Sequence, residues 1–272
     1  MITLNETELI EITNLIIEIH KLDLRNYAKS SFSRRITRIM TINALNSMEQ
    51  LIEYIKKIKD LDIFIEEITV NTTEMFRDPS FWKVLRTTML PELNTHENIR
   101  IWHAGCSSGE EVVSMQILLS ELGMQDKVTT YATDIDKAII MRAESGIYSL
   151  KNLALNQDNY IESGGKFALK KYFVETDAIS YTINKDLLKN VKFKKFDLVK
   201  EVMYTKFDLI LCRNVLIYFD FSLQEKVIEK FISSLFNDGF VAIGQKETLL
   251  SNQNLSTLNL FDAAEKIYRL NR

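Results

Sequence analysis

The chain has 272 residues, of which 46% are hydrophobic and 26% charged, and its net charge is −3. That size and balance fit a soluble globular protein with a sizeable core, and they offer no bulk electrostatic pull toward nucleic acid. No run approaches eighteen apolar residues and the N-terminus, MITLNETELIEI, is acidic, so neither a membrane span nor a signal peptide is expected and the cytoplasm is the expected location.

All eight glycines fall at or after Gly105, and both prolines are Pro79 and Pro91. A long front segment without glycine, rich in Leu, Ile, Glu and Lys, reads as helical. Asn5 with Glu8 and Ser47 with Gln50 have the spacing of helix N-terminal capping boxes. Residues 1–70 are therefore expected to form a helical domain, followed by a second domain over 71–272. Between Leu24 and Met48 there is no acidic residue, but Arg25, Lys29, Arg34, Arg35 and Arg38 are all present. Arg34 and Arg38 lie one helical turn apart, and Phe32, Ile36 and Ile39 can form the opposite apolar face. Such a basic face is either a solvated helix surface or a docking surface for an acidic partner.

From Ile99 the pattern changes to strands alternating with helices. IRIWHA reads as a strand, Glu110 to Leu122 as a helix, KVTTYATDID as a second strand and KAIIMRAESGIY as a helix. KFDLILCRN is a further strand, and Ser222 to Phe236 a helix with Ser222 and Glu225 as its capping box. GFVAIG is another strand, and NLFDAAEKIYRL can close the chain with a strand pair. This alternation predicts an α/β fold with a mainly parallel sheet. Residues 151–192 break the alternation and read as a β-rich insert.

The chemistry concentrates where strands end. In open α/β sheets, ligands bind beyond the C-terminal ends of strands where strand order reverses. The loop Ala104 to Gly109 occupies such a place, and its small residues let a ligand approach the backbone. It lacks both G-x-G-x-x-G and a phosphate loop. Glu110 and Glu111 suit a helix N-terminus, yet they would repel a pyrophosphate. Asp134, after the second strand, can accept hydrogen bonds from both ribose hydroxyls or cap the next helix, as Asp136 also can. A nucleoside without phosphates that carries a cation satisfies both acids, and S-adenosylmethionine is such a ligand. Cys106 and Cys212 stand far apart and His20, His96 and His103 show no ligand spacing, so no disulfide or metal site is expected. The two cysteines read as small buried residues rather than nucleophiles.

Together NTTEMFRDPSFW, WHAGCSSGEEVVSM, YATDIDKAIIMRAESGIY, FDLILCRNVLIYFD and GQKETL resemble the CheR-type chemotaxis receptor methyltransferases in order and spacing, and FSRRITRIM resembles that family's N-terminal domain. The resemblance covers almost the whole chain. It implies a class I S-adenosylmethionine-dependent methyltransferase fold, Rossmann-like with a mostly parallel sheet, an N-terminal all-helical domain and a small inserted β-subdomain. It also implies methyl transfer to glutamate carboxylates of chemoreceptor helices, with S-adenosylhomocysteine as product and Arg34, Arg35 and Arg38 as a receptor-facing surface. Carried over by position, Asn71, Thr73 and Arg77 belong to the stretch that closes over the cofactor's methionine end. Gly105 belongs to the close-approach loop, Glu111 faces the amino group and Asp134 the ribose. Asp197 and Leu198 lie near the adenine, and Arg213 and Asn214 follow the fourth strand. Tyr218 lies beside the transferring methyl, with Arg77 and Tyr218 as the catalytic pair.

An ester-forming methyl transfer asks little acid–base chemistry of the protein. A glutamate, with an unperturbed pKa of about 4.3, is already ionised at neutral pH. Alignment of carboxylate oxygen, methyl carbon and sulfur remains, and positioning can supply roughly 7–11 kcal/mol at best. The chain departs from its relatives at Val112 and Val113, where Pro-Tyr is common. It departs again at Gln245 and Lys246, where His-Ser is common, and at Asp197, which replaces Asn. These are the positions where altered activity or a changed acceptor would arise. VETDAISYTIN is short and lacks the glycine of the peptide-gripping hairpin in some relatives, so the resemblance gives no basis for peptide tethering there. Two other readings are a methyltransferase for a different acceptor and a silent S-adenosylmethionine or S-adenosylhomocysteine sensor at receptor arrays.

Overall fold

The computed structural model describes residues 4–175, 177–248 and 257–271; Thr176 of VETDAISYTIN and Leu249 of GQKETL lie outside the described residues. Four helices come first: α1 Glu6–His20, α2 Lys29–Ile42, α3 Met48–Lys57 and α4 Leu61–Ile68. The Asn5–Glu8 capping box forms as expected. Ser47 accepts from the Gln50 N–H, whereas the Gln50 side chain accepts from Asn46. Ile12, Ile16, Phe32, Ile36, Leu51, Ile55, Phe64 and Ile65 close a separate small core.

A helical rod follows, α5 Pro79–Val84 and α6 Leu90–Leu93, joined by one π-helical turn over Leu85–Met89. Pro91, which has no N–H to give the preceding turn, accounts for the widening. Strand β1 Ile99–Ala104, helix α7 Glu110–Glu121, strand β2 Val128–Asp134 and helix α8 Lys137–Ser145 begin where the sequence predicts them, but Gly146, with φ of +63°, ends α8, and Ile147 and Tyr148, expected in that helix, are strand. Next come β3 Ile147–Ser149, helix α9 Leu153–Glu162, β4 Phe173–Glu175 and β5 Ser180–Ile183. The small strands pair antiparallel in the order β3-β5-β4. The stretch is thus less β-rich than its sequence reads: α9 lies inside it, and β6 Val191–Lys195 belongs to the main sheet beside β2.

The chain ends with β7 Phe207–Cys212, α10 Phe221–Ser234, β8 Leu235–Ile243 and the pair β9 Leu258–Asp262 and β10 Ile267–Leu270. Helix α10 begins earlier than Ser222 because Asp220, not Ser222, caps it, accepting from the Leu223 N–H at 2.9 Å. Phe236, expected in that helix, already belongs to β8, which is longer than GFVAIG.

The main sheet runs β6-β2-β1-β7-β8-β10-β9, parallel except where β10 meets β8 and β9. Alternate residues divide between two apolar layers, as a doubly covered sheet requires. Ile99, Ile101, Leu209, Leu211, Phe240 and Ala242 face one layer with α7 and the rod. Trp102, Ala104, Ile210, Cys212, Val241 and Ile243 face the other with α10. The chain works outward from β1 through β2 and β6, then returns to β7. Strand order therefore reverses between β1 and β7, and the loops after those strands carry the site.

Candidate functional site

A cavity of about 250 Å³ opens at this reversal. Asn71, Thr73, Arg77, Gly105, Glu111, Asp134, Asp197, Leu198, Arg213, Asn214 and Tyr218 all line it, so five separated stretches of sequence converge.

The floor is the loop after β1. Gly105 has φ of +85°, and a Cβ there would come within 2.5 Å of Val215 Cγ2, so glycine alone keeps that surface open. Gly105 and Cys106 donate backbone hydrogen bonds to the Thr133 carbonyl, which ties the floor to the end of β2. Asp134 then accepts from the Ser107 N–H at 2.8 Å and the Asp136 N–H at 3.1 Å. Burial pushes the Asp134 carboxyl above its ordinary value, against the pull of those two N–H groups. The Cys106 and Cys212 thiols are buried and pushed well above the usual cysteine range by desolvation, as expected of packing residues.

Glu111 is held from two sides. His103 Nδ1 lies 2.8 Å from its Oε1, and Arg213 Nη1 donates to its Oε2 at 3.2 Å. Burial opposes its charge, but the hydrogen bond from His103 and the charge of Arg213 prevail and hold its carboxyl below the usual carboxylate range. Arg213 also donates to Asp78 Oδ2 at 2.6 Å and to the Arg77 carbonyl at 3.4 Å, and sits 4.0 Å over the Phe81 ring. It is therefore a buried clasp between α7 and the segment bearing Arg77.

Phe76 and Asp78, on either side of Arg77, both adopt left-handed backbone conformations, with φ of +53° and +55°. That segment is held by side chains: Ser114 accepts from the Phe76 N–H, and Asn156 and Asn159 of α9 take the Met75 N–H and C=O. Arg77 itself has no carboxylate partner among the described residues; Asp78, the neighbour suited to pair with it, is taken by Arg213. The Asn71 side chain donates to Asp136 at 3.0 Å, so it braces the wall through the cap of α8. Asp197 folds its own turn, accepting from the Val199 and Lys200 N–H groups.

Tyr218 sits on the loop after β7. Glu247 fixes that loop with one buried carboxylate, which accepts from the N–H groups of Gly244 at 2.5 Å, Asn214 at 3.1 Å and Ile217 at 3.2 Å. Arg35 corrects an expectation. Arg34 and Arg38 are exposed on α2, but Arg35 turns inward to line the cavity, 5.3 Å from the Tyr218 ring centroid. Its place one residue from Arg34 rotates it off the solvent face. The sequence also missed Tyr27, Phe32, Trp82 and Phe196 as wall residues, because each reads locally as core.

Val112 packs with Cys106, Ala132 and Ile140, and Val113 with the larger core, so both departures are absorbed in packing. Gln245 pairs with Glu265 at 3.0 Å, and Lys246 is exposed.

A phosphate-free nucleoside with a cationic end fits these residues. Four acidic residues line the cavity, Glu74, Glu111, Asp134 and Asp197, Gly105 leaves room for close approach, and the buried Ser107 hydroxyl has no partner among the described residues. The CheR methyltransferase, SAM binding domain family matches residues 71–263. A Pseudomonas putida protein, Cher3, whose name gives a methyltransferase and no acceptor, is 36% identical over 84% of this chain and 83% of its own. The chemotaxis protein methyltransferases of Listeria innocua and Borreliella burgdorferi are 31% and 30% identical, covering 88% and 93% of this chain and 90% and 92% of theirs. With that match across the domain that carries the cavity, the chain belongs to the CheR family of S-adenosylmethionine-dependent methyltransferases.

Proposed function

We propose that the protein transfers the methyl group of S-adenosylmethionine to glutamate side chains of chemoreceptor proteins, forming methyl esters. The observation that carries this reading is the pairing of charges in one cavity. Glu111 and Asp134 offer negative charge to a cationic nucleoside, while Arg77, unpaired among the described residues, and Arg35 over Tyr218 offer positive charge to a carboxylate. Relatives named as chemotaxis protein methyltransferases support the same acceptor.

When bound, S-adenosylmethionine supplies a methyl group activated on sulfonium, whose departure leaves a neutral thioether. The chain's task is to hold and align. Glu111 takes the amino group and Asp134 the ribose hydroxyls, with Asp197 and Leu198 near the adenine and Thr73, Gly105 and Asn214 completing the wall. Arg77 holds one oxygen of the acceptor carboxylate by a charge-assisted hydrogen bond, and the Tyr218 hydroxyl directs the other toward the methyl carbon. Arg213 and Asn71 act by bracing, through Asp78 and Asp136. No base is needed, because the acceptor arrives ionised. Apolar walls from Tyr27, Phe32 and Trp82 exclude water around the approaching carboxylate.

Incubation with methyl-labelled S-adenosylmethionine and cytoplasmic receptor fragments tests the proposal. Alkali-labile label on glutamate is expected. Alkali-stable label would move the acceptor elsewhere, and tight cofactor binding without transfer would favour a silent sensor.

A further inference from the structure

His103 carries an imidazole deep in the fold that methyl transfer does not require. It lies on β1 with no exposure to solvent, and its Nε2 is buried without a partner among the described residues. A buried polar atom left unpaired costs free energy, so a purely packing role would be better filled by an apolar side chain. The ring's one polar engagement is Nδ1, 2.8 Å from Glu111 Oε1. With a carboxylate oxygen at that distance, Nδ1 is the nitrogen that carries a proton.

We propose that His103 is a positioning residue that holds the Glu111 carboxylate toward the cavity and thereby sets the preference for ligands bearing an amino-acid end. This rests on the reading of Glu111 as the amino-group acceptor. The reason lies in the competition around Glu111. Arg213, also buried, presents a fork of donors that can take a carboxylate through both oxygens. It currently spends Nη2 on Asp78 and only Nη1 on Glu111. With Nη2 held by Asp78, Glu111 meets Arg213 through Oε2 alone, and His103 pins the second oxygen, Oε1. Each pinned oxygen keeps a lone pair for a ligand. Without His103, the carboxylate is free to turn toward Arg213, whose buried Nε has no partner among the described residues, and away from the cavity.

Equilibrium binding of two probes to the full chain tests this: S-adenosylhomocysteine, which has the amino-acid end, and 5′-methylthioadenosine, which lacks it. In His103→Ala, S-adenosylhomocysteine should bind about tenfold more weakly, the ratio that corresponds to one hydrogen-bonded orientation lost, while 5′-methylthioadenosine holds within about twofold. His103→Asn, whose amide nitrogen can occupy the place of Nδ1, should recover most of the lost affinity. Equal weakening for both probes, unchanged affinity for both, or no recovery in His103→Asn would each overturn the proposal. A wild-type protein that binds the two probes equally would instead refute the Glu111 reading, and this proposal with it.

Discussion

Glu110 and Glu111 are neighbours in the first turn of α7, yet their surroundings drive them in opposite directions. Glu111 meets His103 and Arg213 and is held below the usual range, whereas Glu110 is pushed up by burial, with the Ser108 hydroxyl and the more distant Arg142 charge pulling the other way. A carboxyl raised in the folded protein binds its proton more tightly there than in the unfolded chain. Its contribution to stability is therefore full at low pH and is lost as pH rises through the folded value. Glu110→Gln removes that loss, so the variant should melt higher than wild type near neutral pH. Each kcal/mol of relief is worth about 2–4 °C, and the advantage should vanish as pH falls below about 4.3. The charge removed also gives up about 0.3–1 kcal/mol of helix-dipole stabilisation; a lower melting temperature at neutral pH would mean that this term outweighs burial. Arg77 separates function from fold. Its guanidinium pairs with no carboxylate among the described residues, so Arg77→Ala should leave the melting temperature nearly unchanged. Methyl transfer should fall at least about 100-fold, the scale of one lost transition-state donor. Full activity in a labelled-methyl assay would remove Arg77 from its assigned role.

The loop that carries Tyr218 is the element on which the site turns. Glu247 accepts from two backbone N–H groups of it, Asn214 and Ile217, and from Gly244 after β8, and its carboxyl is raised by burial even so. Glu247→Ala strands those donors, at about 1–3 kcal/mol for a buried group left unpaired, so both thermal stability and methyl transfer should drop. A stable variant with normal transfer would show that the loop holds its shape by packing alone. This function of Glu247 could not be read from GQKETL, because a carboxylate reaching back to a distant loop leaves no periodic or local trace. The strands were legible for the opposite reason: β1, β2 and β7 are runs of β-formers closed by small or polar residues. Helix α9 was not, since its low amphipathic contrast and its Asn-rich face resemble a polar loop until Asn156 and Asn159 are seen capping the Met75 backbone.

At the scale of the molecule, the N-terminal segment forms one wall of the candidate site's cavity. Asn26 and Ala28 exchange backbone hydrogen bonds with Asp220 and Tyr218 at 2.8 and 2.9 Å, and Tyr27 bridges Phe219. The sequence marked two segments of different character but gave no sign that they share a site, because such docking depends on contacts between residues far apart in the chain. Docking also divides the basic face of α2 between two surroundings. Arg35 faces Tyr218, while Arg34 and Arg38 remain outside, Arg38 reaching only the Thr69 carbonyl at 3.4 Å. If the exposed pair steers an acidic receptor helix toward the cavity, reversing its charge should act on encounter and not on the cofactor. Arg34→Glu with Arg38→Glu should therefore weaken binding of receptor fragments and flatten its salt dependence, since exposed charges are screened within about 8–10 Å at physiological salt. S-adenosylhomocysteine affinity should stay at the wild-type value, because neither side chain lines the cavity. Receptor affinity that is unchanged across a salt titration would return this face to ordinary solvated surface, and a loss of S-adenosylhomocysteine binding would show that α2 had shifted and carried Arg35 with it.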